Sequence, residues 1–230
     1  LGYLNDYSNN SLIILPYEWR KKLNKEGFKV NSIFNKFYWN IYVLFLFAYG
    51  FYENLKKIII IPFNIFFNKY IDKIKESVWF IGLEKDNLSN STKAKNIINW
   101  HHNNIGHKNK VKYYSHDVYS FDNLKLKNYT LIKNYSNIPL PSDFKTYFKF
   151  IFWFVKSFFL TLIEFLNSNY APLILYNELS LNFLILIQKG NLPKSFYFSQ
   201  IKYLYKPLWT YSYESFNGKV FLYFYATNIY

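Results

Sequence analysis

Hydrophobic and polar positions divide the chain near residue 76. Before it, apolar residues come in long, nearly unbroken runs; after it, short apolar runs alternate with periodic ones. The stretch "PYEWRKKLNKEG" sets Pro16 at a first helical turn and Gly27 at a stop, which predicts a short basic helix. "FYWNIYVLFLFAYGFY" (37–52) and "IIIIPFNIFF" (58–67) predict a helical pair separated by Glu53-Asn54-Leu55-Lys56-Lys57. The first run falls just short of the roughly 17–25 residues that span a bilayer, and the second is shorter and contains Pro62. Lysines flank both runs on both sides, without the asymmetry usual for a spanning helix. Two readings stay open for residues 1–76: an interfacial, re-entrant pair on an anionic membrane, or a hairpin buried in the core.

From Ser77 onward the pattern predicts an α/β unit over 77–230. "VWFI" (78–81) reads as a short buried strand, "STKAKNIINWHHN" as a helix capped by Ser91 or Thr92, and "KVKYY" and "YTLIKNY" as further strands. A long helix starts at Ser142 or Asp143, with Ile151, Val155, Phe158, Leu162 and Phe165 as one stripe and Lys149, Lys156 and Glu164 on its polar side. Another begins at Pro172 and stops before Gly190. The closing segment reads as strand (196–198), helix after Pro207 and strand (220–226), the size of a βαβ unit. Its last strand is apolar on both faces, the mark of a parallel sheet covered by helices. The expected fold is therefore α/β, with a mainly parallel Rossmann-like sheet flanked by helices and preceded by an apolar helical region.

Composition changes the picture in three ways. The 24 Tyr, 25 Phe, many Lys and Asn, and a single arginine, Arg20, indicate compositional bias, so each such residue is weak evidence taken alone. A net charge of +14 favours anionic partners: nucleotides, sugar phosphates or acidic lipids. Nucleic acid is not expected, since no recognition motif or compact Lys/Arg cluster is present. The absence of cysteine removes disulfides, thiolate metal sites and cysteine nucleophiles. With Leu1 in first place and a strand-like run near Tyr230, the chain reads as a fragment, truncated at its C-terminus.

Candidate chemistry follows from the edge rule: in an open parallel sheet, ligands sit beyond the carboxyl ends of the strands. The loop before Pro207 and the helix it starts lie at that edge, where free N–H groups beside Lys202 and Lys206 make an anion site. Trp209 and Tyr211 would supply a stacking wall, or else pack inward; Thr227 and Asn228, after the next strand, would bind hydroxyls at the same rim. The loop lacks glycine, so a Gly-rich pyrophosphate cradle is not expected. His116 and Asp117 follow a strand and are the candidate catalytic pair, although sequence neighbours point apart. His101, His102 and His107 lack the spacing of metal ligands, so neither a metal nor a cofactor is expected.

"YKPLWTYSYE" followed by "VFLYFYATN" resembles a segment of bacterial surface-polysaccharide biosynthesis proteins, glycosyltransferase-like enzymes of GT-B architecture. Lys206 stands at the basic position, Pro207, Leu208, Trp209, Thr210 and Tyr211 match, and Glu214 falls at an acidic one. Lysine in place of arginine, and Ala226 in place of serine before Thr227 and Asn228, depart from the pattern. The resemblance covers about the last thirty residues. It implies the acceptor-side, N-terminal part of a glycosyltransferase, cytoplasmic and peripheral on the inner face of the membrane, inactive without its donor domain. Its partners would be a nucleotide sugar or glycan acceptor and an anionic membrane surface. The alternative from another class is a non-catalytic membrane-surface scaffold of the cell envelope.

Overall fold

The computed structural model describes residues 15–28, 32–67, 74–75, 77–81, 101, 104, 112–115, 130–133, 136–199 and 206–223. Helix α1 (Tyr17–Lys25) precedes the 36-residue α2 (Ser32–Phe67). Strands β1 (Val78–Ile81), β2 (Lys112–Ser115) and β3 (Thr130–Lys133) follow, then helices α3 (Phe144–Leu166), α4 (Ala171–Ile174) and α5 (Tyr176–Ile187). Strand β4 (Ser195–Ser199), helix α6 (Leu208–Ser215) and strand β5 (Lys219–Tyr223) complete the set. The predicted helix capped at Ser91 or Thr92 lies mostly outside the described residues.

All five strands are parallel, in the order β3-β2-β1-β4-β5. The chain builds outward from β1 to β3, crosses back through α3, α4 and α5, and resumes on the other side of β1 at β4. In open parallel sheets ligands sit beyond the carboxyl ends of the strands where the order reverses, here β1 and β4. Trp79, Ile81, Phe196 and Phe198 face the helices, and their cluster includes Leu181, Leu184, Trp209 and Tyr213. Phe80 and Tyr197, stacked with centroids 5.0 Å apart, face the other way and are covered by His101. Alternation along each strand thus buries both sides of β1 and β4, as their unbroken apolar sequence requires. β5 is an edge strand with Phe221 and Leu222 exposed, so the expectation of full cover on both faces fails there.

The helical layer departs from the sequence reading in its first element. One continuous helix replaces the predicted pair, running through Glu53–Lys57 and past Pro62. Proline removes one backbone donor, and Ile61 and its neighbours are held by the core, so tertiary packing carries the helix through. α3 lies antiparallel to α2: Phe66 meets Phe144, the Tyr147 hydroxyl donates to Ile58 O at 3.2 Å, and Phe47 stacks on Phe158. Asp143 caps α3, accepting from Thr146 N at 2.8 Å. On α3, Phe150, Phe154 and Thr161 are buried while Val155 is exposed, so the predicted stripe is rotated from the true buried face. The helix predicted from Pro172 is broken at Leu175 into α4 and α5.

Helix α2 is apolar on its exposed side and mixed on its buried one. Its inward face is Val43, Phe47, Gly50, Asn54, Lys57 and Ile61, alternating steps of four and three, the spacing of one helical face. Its outward face carries Phe34, Ile41, Phe45, Tyr52, Ile59 and Phe63, each about half exposed or more. Lys57 is 6% exposed and Asn54 0%, whereas Phe45 is 67% and Phe63 61% exposed. A helix in contact only with water and its own core would carry polar residues on this outward face. Among the described residues no helix is long and apolar enough to cross a membrane.

Candidate functional site

The inward polar residues of α2 meet the first turn of α5. Gly50 permits the approach: a Cβ there would lie 3.1 Å from Asn177 N and 3.3 Å from Tyr176 Cβ. Further along α2, the Lys57 ammonium donates to Asn177 Oδ1 at 2.8 Å and to Asn54 Oδ1 at 3.1 Å. Ser180 Oγ also donates to Asn54 Oδ1. Asn54 Nδ2 is buried with no partner among the described residues. Burial pushes the Lys57 ammonium down to about 8, opposed by the nearby carboxylates of Glu53 and Glu178.

Glu178 extends this cluster to the sheet. Helices α5 and α6 both run antiparallel to the strands they adjoin, which brings both their amino ends to the strands' carboxyl edge. There Glu178 Oε2 accepts from Leu208 N at 3.1 Å, the first N–H of α6. Burial raises the Glu178 carboxyl, while the Leu208 bond and Lys57 act in the opposite direction. The anion attracted to this helix start is therefore the protein's own. Lys57 bonds to Asn54 and Asn177, and Glu178, next to Asn177, bonds to Leu208 at the edge where a parallel sheet presents ligands. Chemically this cluster offers an ammonium close to neutral pH and a buried carboxylate whose proton is held more tightly than usual.

The predicted site residues separate. Lys206 and Tyr211 do come together, with the ammonium 4.5 Å from the ring centroid. Lys206 is also paired with Glu214 at 2.5 Å on the exposed side of α6. Trp209, expected on the same wall, is 0% exposed and sits edge-on to Phe196 at 4.8 Å; it is core. Residues two steps apart in a helix lie on different sides of it, so Trp209 and Tyr211 cannot share a wall. His116, Asp117, Lys202, Thr227 and Asn228 lie outside the described residues.

His101 is a core residue, 5.1 Å from the Tyr197 ring centroid, and His102 and His107 are outside the described residues. No group of three metal-ligating side chains stands together among the described residues. Sequence reasoning places Glu178 on a helix and Lys57 among flanking lysines, and misses that Lys57 reaches Asn177 beside Glu178. The available signal is the four-three spacing from Val43 to Ile61, which puts Gly50, Asn54 and Lys57 on one side of a helix otherwise lined with aromatics.

Comparison with protein-family models, curated proteins and solved structures finds no match, so the reading of this site rests on its own geometry.

Proposed function

We propose that the chain is the acceptor-side part of a membrane-docked glycosyltransferase of cell-surface polysaccharide biosynthesis, built on a Rossmann-like sheet. The observation that carries the reading is the exposed apolar side of α2, with Phe45, Ile59 and Phe63 outward. Phe66 and Phe144 touch at 5.4 Å and both are exposed, so the apolar surfaces of α2 and α3 are continuous. Lys145, Lys149 and Lys156 are exposed among Phe148, Phe152 and Phe159, the composition of a helix lying in an anionic interface. A sugar-bearing ligand would sit at the β1–β4 crevice, beside the Glu178-capped start of α6. Docking the helices would hold that crevice near acceptors carried on the membrane.

A second reading, a non-catalytic membrane-surface scaffold, is favoured by one observation. Two of the anion handles at the predicted rim, the α6 start and Lys206, are already satisfied by Glu178 and Glu214, and the third, Lys202, lies outside the described residues. Flotation with anionic and neutral vesicles, followed by thermal-shift titration with nucleotide sugars, separates the readings. The transferase reading expects flotation with anionic vesicles and stabilisation by a nucleotide sugar. Flotation without stabilisation supports the scaffold, and absence of flotation overturns both.

A further inference from the structure

A hollow of about 400 Å³ lies between α3 and α5, on residues that the function proposed above does not use. Ser157, Thr161 and Glu164 reach it from α3, and Leu179, Asn182 and Leu186 from α5. Each set is spaced by threes and fours, the spacing of one helical face. From Ser157 onward every remaining residue of α3 is Phe, Leu or Ile, so its polar side chains are gathered on the one face that lines the hollow. The turn after α3 holds Glu164 in place. Ser168 takes a φ of 60°, the left-handed conformation that more often falls to glycine at a helix end. Asn169 N then donates to Glu164 O at 2.9 Å, and the Asn169 side chain folds back so that its Nδ2 donates to Glu164 Oε2 at 2.7 Å.

Two acceptors in this hollow lack a matching donor. The chain carries 28 Lys and Arg against 14 Asp and Glu, yet no ammonium or guanidinium pairs with Glu164 among the described residues. Asn182 Oδ1, on the facing helix, is buried with no partner among the described residues. A carboxylate and an amide oxygen together suit a positively charged group rich in N–H donors, and an ammonium brings three of them on a compact charge. A hard metal ion would need a fuller shell of oxygens than a wall shared with leucines supplies. Trp153, on the same wall, stacks on Phe150 and Phe183 at interplanar angles of 13° and 14°, so its ring serves packing rather than a sugar platform. Leu160, Leu179 and Leu186 supply hydrocarbon surface beside the acceptors. We propose that this hollow binds a primary alkylammonium, with its N–H groups given to the Glu164 carboxylate and Asn182 Oδ1 and its chain laid along the three leucines. The site goes beyond the membrane and transferase readings and rests on neither.

The test titrates the full chain with n-hexylammonium, 1-hexanol and hexanoate, one chain with three head charges, followed by ligand-observed NMR. The site predicts saturable binding that is tightest for hexylammonium, weaker for hexanol and weakest for hexanoate. Unspecific adsorption on a chain of net charge +14 predicts the reverse order, because that charge favours the anion. Glu164→Gln keeps an acceptor for Asn169 Nδ2 and is expected to weaken hexylammonium about tenfold while leaving hexanol within about twofold. Asn182→Leu is expected to weaken hexylammonium in the same direction, and Glu164→Gln carries the test alone should Asn182→Leu lose the parent circular dichroism. Glu18→Gln, exposed on α1, is expected to bind like the parent. Equal losses in Glu164→Gln and Glu18→Gln would reduce the effect to net charge and overturn the site. Hexanol or hexanoate binding as tightly as hexylammonium would overturn the ammonium assignment, and absence of saturable binding would overturn the proposal.

Discussion

The Lys57 ammonium donates to Asn177 Oδ1 at 2.8 Å across 120 positions of sequence, from one long helix to the first turn of another. That bond fixes which side of α2 faces the protein. A lysine held inward by two amide oxygens, with Glu178 nearby, leaves the aromatic side of the same helix facing out.

Lys57 gives a pH signature. Its folded value, about 8, lies below the ordinary 10.5, so between these values the unfolded chain holds a proton that the native chain has released. Stability therefore rises with pH across that window, by up to about 3 kcal/mol. Tyr176, Tyr197 and Tyr213 act oppositely: burial raises each phenol above 10.0, so their contribution is lost as pH rises beyond that point. Denaturant titrations between pH 8 and 10 are expected to show rising stability in the parent and a flat profile in Lys57→Met. A flat parent profile would place Lys57 in water.

Gly50 tests the approach of α2 to α5. A methyl group there meets the Asn177 backbone at 3.1 Å, so the backbone of α5 must give by a few tenths of an ångström, whereas Gly190 has nothing within 4 Å. Gly50→Ala is expected to lose about 1–3 kcal/mol. Gly190→Ala is expected to stay within about 0.5 kcal/mol. Chemical denaturation of the pair measures the difference; equal values would mean that the helices do not touch.

Trp209 and Tyr211 are two positions apart and opposite in consequence. Trp209→Ala removes a buried ring packed on Phe196 and Phe198 and is expected to cost about 3–5 kcal/mol. Tyr211, 57% exposed, is expected to change stability by less than about 0.5 kcal/mol when replaced by alanine. Thermal melts of both variants decide the matter, and a destabilised Tyr211→Ala would contradict the assignment of faces.

Glu178 acts as an acceptor for the α6 start. Glu178→Gln keeps an oxygen for Leu208 N and is expected to lose less than Glu178→Ala, which should cost about 1–2 kcal/mol. Lys206→Ala removes only an exposed pair and is expected to lie within about 1 kcal/mol of the parent. Denaturation midpoints are expected to rank Glu178→Ala as the least stable, Glu178→Gln next and Lys206→Ala closest to the parent. A Glu178→Ala midpoint equal to that of Lys206→Ala would remove Glu178 from the helix start.

The sequence made the local elements legible and left the long-range ones hidden. Val78–Ile81 reads as a strand because four buried apolar residues leave no alternative face, and the closing βαβ unit reads from Pro207 and the flanking runs. The switch between β1 and β4 could not be read, because it depends on which side of β1 the helical crossover lands, a tertiary choice. Glu53–Lys57 reads as a separation between two helices, yet one helix runs through it, with Asn54 and Lys57 on its buried side. Trp209 looks like a ligand wall because aromatics are everywhere in this composition, and only burial distinguishes core from surface. The Lys57–Asn177 bond joins residues too far apart in sequence for spacing to reveal.

The most direct measurement uses the chain's lack of cysteine. Single cysteines carrying spin labels at positions 45, 59 and 63 report the outward side of α2, and one at position 215, exposed on α6, reports water. On adding anionic vesicles, the three α2 labels are expected to gain oxygen accessibility and lose accessibility to a water-soluble relaxant, while position 215 stays aqueous. Labels on α2 that remain aqueous with vesicles, or that become protected without them as protein concentration rises, would contradict membrane docking; the second outcome would assign that face to another copy of the chain.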